Sequence, residues 1–425
     1  MQKFLNWLER VLTPLAKIIG ENKYLIAIRD GFLISTPLLI VGSFFLLLAN
    51  FPIPNWSNII TPILGSNWES LMSVPASASF DVMTILAVVG IAYSLGRQLD
   101  IDAIQSGALA LVSFFILTPF TTQFTPENST QVFDVTSLPL KWMGSSGLFL
   151  GMIISLVSTR IFAAVIHRGW TIKMPEGVPP TVVKSFEALI PSFVVVTIMF
   201  VINWLVSLTP MGNLQDVIFK FLQTPLLSLG NTLGAMIISY LFLHFFWFFG
   251  INGSSVVGAV FNPVLRALSV ENMQAFKDGH PIPNIITGQF QDMFATFGGG
   301  GSTLSLIIVM VIFCKSQRVK KLSQLSLVPS IFGINEPIIF GLPIVLNPIL
   351  LIPFALVPTI NIIISYFAMD WGIVPYTNGI QLPWTTPPII SGFLVSGWQA
   401  SVLQALLIVL GMAIYYPFIK VCLLY

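Results

Sequence analysis

Ile331-Phe-Gly-Ile-Asn-Glu-Pro-Ile-Ile-Phe-Gly-Leu-Pro-Ile-Val-Leu-Asn-Pro-Ile-Leu350 contains a single charge, Glu336. An ionised side chain at membrane depth is costly and by default marks a substrate or ion pathway. The residues around it argue against a plain spanning helix. Gly333, Pro337, Gly341, Pro343 and Pro348 interrupt helical hydrogen bonding repeatedly. Irregular backbone is tolerated at that depth only where protein buries it or a wet cavity receives it. One acid on a broken apolar segment therefore reads as a binding site. The bland alternative, a structural carboxylate at a helix end, has the same local geometry.

The rest of the chain fits membrane depth. Its 425 residues are 55% hydrophobic and 8% charged, whereas soluble domains carry about 25% charged residues. A net charge of +2 gives no reason to expect nucleic acid. Glycine (31) and proline (29) recur inside apolar runs, as in transporters with discontinuous helices. Cys314 and Cys422 are far apart and form no metal or redox motif. No Ser–His–Asp arrangement or metal-ligand cluster is visible, and no cofactor is expected.

Spanning segments fall near 30–50, 81–98, 103–120, 146–167, 187–209, 232–250, 302–315, 344–368, 380–395 and 399–420. Stretches around 284–301 and 331–343 read as re-entrant. The expected fold is an all-α polytopic membrane protein of about 10 transmembrane helices, each needing about 20 apolar residues, with re-entrant hairpins and interfacial amphipathic helices. Residues 1–20 supply one such amphipathic helix. Phe4, Leu5, Leu8, Leu12, Leu15 and Ile19 lie on one face, and Lys3, Arg10 and Lys17 elsewhere. Charges interrupt this start and no cleavage site follows, unlike a signal peptide. Residues 210–231 read as a linker between halves 1–225 and 226–425, with Gln215, Asp216 and Lys220 available to a second interfacial helix. The loops near 51–79 and 121–144 hold one Lys and no Arg, while basic residues cluster at 3–29, 168–184 and 315–321. The positive-inside rule then puts both termini in the cytoplasm.

Three further stretches carry candidate chemistry. In His244-Phe-Phe-Trp-Phe-Phe-Gly-Ile-Asn-Gly-Ser-Ser-Val-Val-Gly258, aromatic rings adjoin small polar residues. Apolar walls with a few placed polar groups suit a sugar; an interfacial aromatic belt is the alternative. Trp247 and Asn252 are the candidates, and a lone His244 among aromatics reads as structural. Thr287-Gly-Gln-Phe-Gln-Asp-Met-Phe-Ala-Thr-Phe-Gly-Gly-Gly-Gly-Ser-Thr303 allows close backbone approach but lacks the Lys-Ser/Thr of a nucleotide-binding P-loop. Asp292 and Gln289 are its possible hydroxyl partners. Gln381-Leu-Pro-Trp-Thr-Thr-Pro-Pro388 puts Trp384 on a proline-bent segment as a stacking platform or an interface anchor. Asn335 stands beside Glu336. Arg97, Asp100 and Asp102 read as a cytoplasmic turn, where Arg97 could meet a substrate or phosphate. Asp81 could cap the second span. Arg29 and Asp30, adjacent on a helix, should diverge toward other partners or water.

Phe332-Gly-Ile-Asn-Glu-Pro-Ile-Ile-Phe-Gly-Leu-Pro343, followed by Asn347-Pro348, resembles the signature of enzyme IIC of the phosphoenolpyruvate-dependent sugar phosphotransferase system, in its lactose/cellobiose/diacetylchitobiose branch. Ala27-Ile-Arg-Asp-Gly-Phe32, the Trp-x-x-Gly-Ile stretch at 247–251, the glycine-rich loop and the segment at 384–388 match in the same order. The resemblance implies a homodimeric permease of the bacterial plasma membrane, with 1–225 forming the dimer interface and 226–425 holding a β-linked disaccharide. Cellobiose is the first choice; diacetylchitobiose or lactose are alternatives. It further implies that Glu336 contacts a hydroxyl at or near C6, and that a separate phosphorylated IIB, with IIA upstream, supplies the phosphoryl group. Relatives place a histidine after the Gly-Ile pair; here Asn252 stands there. The competing readings are an ion-coupled secondary transporter in which Glu336 carries a proton, and a membrane-embedded glycosyl or acyl transferase.

Overall fold

The computed structural model of the chain describes residues 21–51, 55–124, 132–175, 177–248, 253–314, 316–342, 344 and 347–423. The amphipathic helix expected at 1–20 and Asn252 lie outside the described residues. So does the side chain of Glu336, whose backbone is described. The chain divides into two compact units, Asn22–Gly42 with Pro75–Leu226, and Ser43–Val74 with Leu227–Tyr425.

The first unit is a helical bundle. Met83–Gln98, Ala103–Ile116, Leu148–His167 and Leu189–Ser207 enclose a core that includes Val88, Leu109, Phe114, Ile154, Phe162 and Val195. Without a hydrophobic drive between helices in lipid, close backbone approach and interhelical hydrogen bonds matter more. Both occur here. A side chain at Gly90 would run into the Gly31 backbone, and Ser155 donates to the Val88 carbonyl at 3.0 Å. Asp102 caps Ala103–Ile116 by accepting from the Gln105 amide (3.0 Å) and pairs with Lys184 at 3.2 Å. Arg29 and Asp30 do not diverge. Arg29 Nε donates to Asp30 Oδ1 at 2.8 Å, the long arginine curling back over its half-exposed neighbour.

In the second unit, Leu233–Phe248, Thr303–Phe313, Pro348–Asp370 and Trp398–Leu423 surround a core that includes Leu306, Met310, Ile339, Phe354, Val357 and Tyr415. The 25-residue helix Gly253–Lys277 packs on Leu233–Phe248 and on the segment after Thr287.

Among the described residues, seven segments are long and apolar enough to cross a membrane, or eight if Leu214–Gly230 and Leu233–Phe248 form one bent span; Ala103–Ile116 is a shorter apolar helix. The expected span at 380–395 is absent. Pro383, Pro387 and Pro388 keep residues 373–389 out of helix, and Ile390–Ser396 lasts seven residues. The expected loop at 51–79 is largely helical, as Trp56–Leu64 and Trp68–Phe80. Trp68 is buried and its indole donates to Thr61 at 3.2 Å. The linker at 210–231 is helix too, with Gln215 buried against Thr118 and Asp216 bonded to the cap residue Asn213. The cap residue of Met83–Gln98 is Val82, which makes no side-chain cap bond. Among the described residues, the fold departs from all-α at one hairpin, Thr121–Phe124 with Phe133–Thr136, antiparallel with Thr121 opposite Thr136.

Candidate functional site

Beside the helix Leu233–Phe248, which contributes Ser239, Tyr240, Leu243 and Trp247, four segments of the second unit line one cavity of about 400 Å³. The first is the helix Gly253–Lys277. Ser254, Gly258, Asn262 and Arg266 follow at four-residue steps, which on a helix makes one face, and all four line the cavity. The lower part of this helix is fixed by buried amides. Asn272 Nδ2 donates to the Asn284 and Thr377 carbonyls at 2.8 and 2.9 Å, and its Oδ1 accepts from the Asn284 amide at 3.0 Å. Asn284 in turn donates to Glu271 at 3.0 Å.

The second segment begins where Thr287 caps a short helix, Gly288–Phe290, that widens into a π-turn over Gln291–Ala295. The turn puts Gln291 and Asp292 on the cavity. Asp292 is exposed, but to the cavity, with protein enclosing it. The glycine run follows. At Gly301, φ is +78°, and a Cβ would overlap the Phe354 ring, so glycine is required there. Its amide donates to His244 Nε2 at 2.8 Å and its carbonyl accepts from Tyr415 at 2.5 Å. With Nε2 accepting, His244 holds its proton on Nδ1, which donates to the Tyr240 carbonyl at 2.7 Å. Both ring nitrogens thus serve the loop and the helix, and His244 is a structural residue.

The third segment is the break that precedes Glu336–Gly341. Asn335 is buried and donates to the Gly300 carbonyl at 2.8 Å and to Thr303 at 3.1 Å. It ties the acidic segment to the glycine loop. Glu336 opens its helix at once after Asn335, with Pro337 in the first turn, a position where proline's missing N–H costs nothing. The fourth segment carries Trp384, which is 60% exposed and lines the cavity. A side chain at Gly333 would press on its ring. Gln404 holds this segment, accepting from the Ile389 and Gly392 amides at 2.5 and 3.1 Å and donating to the Met293 carbonyl at 2.7 Å.

Of the residues singled out in the sequence, Trp247, Asp292, Asn335 and Trp384 meet at this cavity. Trp247 is buried, and its indole N–H has no hydrogen-bond partner among the described residues. Gln289 is not among the lining residues; it is 2% exposed and neither atom of its amide has a described partner. Its neighbour Gln291 takes the cavity position. Arg97 is exposed at the last turn of Met83–Gln98, in the first unit. Asn262 and Arg266 were missed. The four-residue spacing of polar and small positions from Ser254 to Arg266 was the signal that would have found them. No metal-binding group of His, Cys, Asp and Glu occurs among the described residues. The cavity offers a carboxylate, a guanidinium, several amides and two indoles, a set that binds a polyhydroxylated ligand by hydrogen bonds on its edges and aromatic contact on its faces.

Residues 29–358 match the family model for the phosphotransferase system EIIC. The lichenan permease IIC component of Bacillus subtilis (strain 168) is 40% identical over 99% of this chain and 94% of its own length. The cellobiose-specific EIIC component of Geobacillus stearothermophilus is 39% identical over the same shares. The crystal structure of the transporter ChbC, the IIC component from the N,N′-diacetylchitobiose-specific phosphotransferase system, covers 98% of this chain and 97% of its own at 42% identity, with a TM-score of 0.95. Matched from its first described span through its broken acidic segment, this membrane protein belongs to the EIIC family of the phosphotransferase system.

Proposed function

We propose that this chain is a bacterial plasma-membrane permease for a β-linked disaccharide, which it presents to a phosphorylated EIIB for phosphorylation at the 6-hydroxyl. Cellobiose is the first candidate; diacetylchitobiose and lactose are the others. The observation that carries this reading is a cavity of about 400 Å³, within the range of small-ligand pockets, on which Trp247, Asp292, Asn335 and Trp384 converge. The names of the relatives, a lichenan permease and a cellobiose-specific component, favour β-glucosides.

In this mechanism the sugar lies against the indoles while amides and carboxylates take its hydroxyls. Glu336 orients the 6-hydroxyl and accepts its proton as O6 attacks the phosphorus held on a cysteine of EIIB. The P–O bond forms, the P–S bond breaks, and the thiolate leaves with EIIB. Asn252 can hydrogen-bond a hydroxyl but cannot serve as a base near neutral pH, so the base role falls on Glu336. EIIB is in turn charged by an EIIA upstream. The sugar phosphate is trapped inside, which makes uptake irreversible. The unit containing 227–425 carries the sugar, residues of the 1–225 half form a homodimer, and both termini face the cytoplasm. The carrying unit moves as a rigid body to alternate access, and Arg97 meets the phosphoryl group from the cytoplasmic side.

The test is uptake into vesicles of purified protein. Labelled cellobiose should accumulate inside only with phosphorylated EIIB present, and as the 6-phosphate. Concentration of unmodified sugar by a proton gradient alone would overturn the reading.

A further inference from the structure

Among the described residues, four other than glycine have a positive φ, and Ile389 is the β-branched one. Its φ of 74° and ψ of −51° lie outside the left-handed helical region and match the central residue of the rare, strained kind of γ-turn. Such a conformation persists only where its surroundings over-determine it. Here one helix, Trp398–Leu423, holds both sides of the residue. Gln404 Oε1 accepts from the Ile389 amide at 2.5 Å, and Ser401 Oγ donates to the Ile389 carbonyl at 2.6 Å. Ser401 and Gln404, three residues apart, lie on one face of that helix. The same carbonyl accepts from the Phe393 amide at 3.1 Å, in the first turn of Ile390–Ser396.

Gln404 is fully buried and is not among the residues lining the cavity. The orientation of its amide is set from two sides. Nε2 donates to the Met293 carbonyl at 2.7 Å and to Ser391 Oγ at 3.1 Å, which turns Oε1 to the Ile389 and Gly392 amides. The residues that this clamp places do line the cavity: Met293 on one wall, Pro388 and Ser391 beside the strained turn, and Trp384 and Thr386 just before it. Residues 373–389 form no helix or strand of their own. Thr386 closes a turn around Trp384, its amide and hydroxyl both donating to the Pro383 carbonyl at 2.9 and 2.7 Å. Pro387 and Pro388, each with a fixed φ, stiffen the link from that turn to Ile389. The Trp384 turn therefore takes its position from Ile389.

We propose that Gln404 is a positioning residue: by clamping Ile389 in the strained turn it sets where Trp384 stands on the cavity, and so tunes sugar affinity without touching the sugar. An isoleucine gives this turn no tendency to form by itself, so without the clamp the backbone relaxes to negative φ and carries Trp384 with it. Glycine adopts positive φ freely, so a glycine at 389 makes the clamp dispensable. The effect on sugar rests on the permease reading; the effect on Trp384 rests on the turn alone.

Isothermal titration of the purified full-length protein with cellobiose tests it, alongside acrylamide quenching of the emission that Trp384→Phe removes. Gln404→Met keeps the length and loses the amide. It should raise Kd about tenfold, as far as loss of the Trp384 ring itself would, and change the quenching of Trp384. Adding Ile389→Gly should return both towards wild type. In a Trp384→Ala background, Gln404→Met should change Kd little further, because both act through one ring. If Gln404→Met does not fold, Gln404→Asn keeps the amide on a shorter stem and should raise Kd several-fold, again reversed by Ile389→Gly. Wild-type affinity and quenching in both Gln404 variants overturn the clamp and leave the permease reading standing. So does an affinity loss that Ile389→Gly leaves in place, as general packing would predict, or one that adds in full to Trp384→Ala. A wild type that binds no β-linked disaccharide overturns the permease reading, and the clamp is then decided by the quenching alone.

Discussion

At Glu336, charge and hydrogen-bonding capacity are separable by one substitution. Glu336→Gln keeps the shape and loses the base, so sugar binding should weaken and phosphoryl transfer should fall by about 10²-fold or more, the size of a general-base contribution, with folding intact. Unchanged cellobiose affinity in a binding assay would remove Glu336 from the site. Trp384 offers a complementary case. At 60% exposure it contributes little to the core, so Trp384→Ala should leave the melting temperature nearly unchanged and raise the cellobiose Kd about tenfold, ~1.4 kcal/mol. That Trp247, Asp292, Asn335 and Trp384 share a cavity was legible because polar or aromatic residues beside glycine and proline in apolar runs have few other uses. Arg266 and Asn262 were not. They sit on a regular helix whose polar face points into the molecule, and hydropathy windows average such a face away. His244 was legible as structural, but its partners, Gly301 and Tyr240, come together only in the fold.

Among the elements, the glycine loop is the most constrained. Gly301→Ala combines a left-handed backbone with overlap on Phe354, and such strain costs about 1–3 kcal/mol. The variant should melt several degrees lower and lose sugar affinity as the loop shifts away from Asn335; thermal melting alongside titration checks both. Asp102 tests a helix end. The Gln105 amide holds its carboxyl below the usual carboxylate range, against partial desolvation, with Lys184 adding to the effect. A lowered folded-state value means that the stabilisation is present above the unfolded value of about 4 and is lost as pH falls through the folded one. Asp102→Ala should therefore cost about 1 kcal/mol at neutral pH, and its melting curve should converge with wild type in acid. Long apolar spans such as Leu148–His167 were readable from sequence. Gly253–Lys277 and Gln317–Ile331 were not, because Asn, Arg, Glu, Lys and Ser interrupt their apolar positions and tertiary partners stabilise them. At 380–395 the apolar content read as a span, and proline overrode it.

For the whole molecule, the position after Gly250-Ile251 tests how the chemistry is shared. If Glu336 alone supplies the base, Asn252→His should retain or improve phosphoryl transfer from phosphorylated EIIB, measured as sugar phosphate formed per minute. Loss of sugar binding would give Asn252 a different role. Two of the ten tryptophans, Trp247, whose indole N–H has no partner among the described residues, and Trp384, which is 60% exposed, line the same cavity. A sugar that bonds one indole and covers the other changes the polarity around both. The protein should therefore report its own occupancy as a shift in intrinsic fluorescence, with no label attached. That emission can follow loading and release in real time, and Trp384→Phe should remove the larger share of the signal.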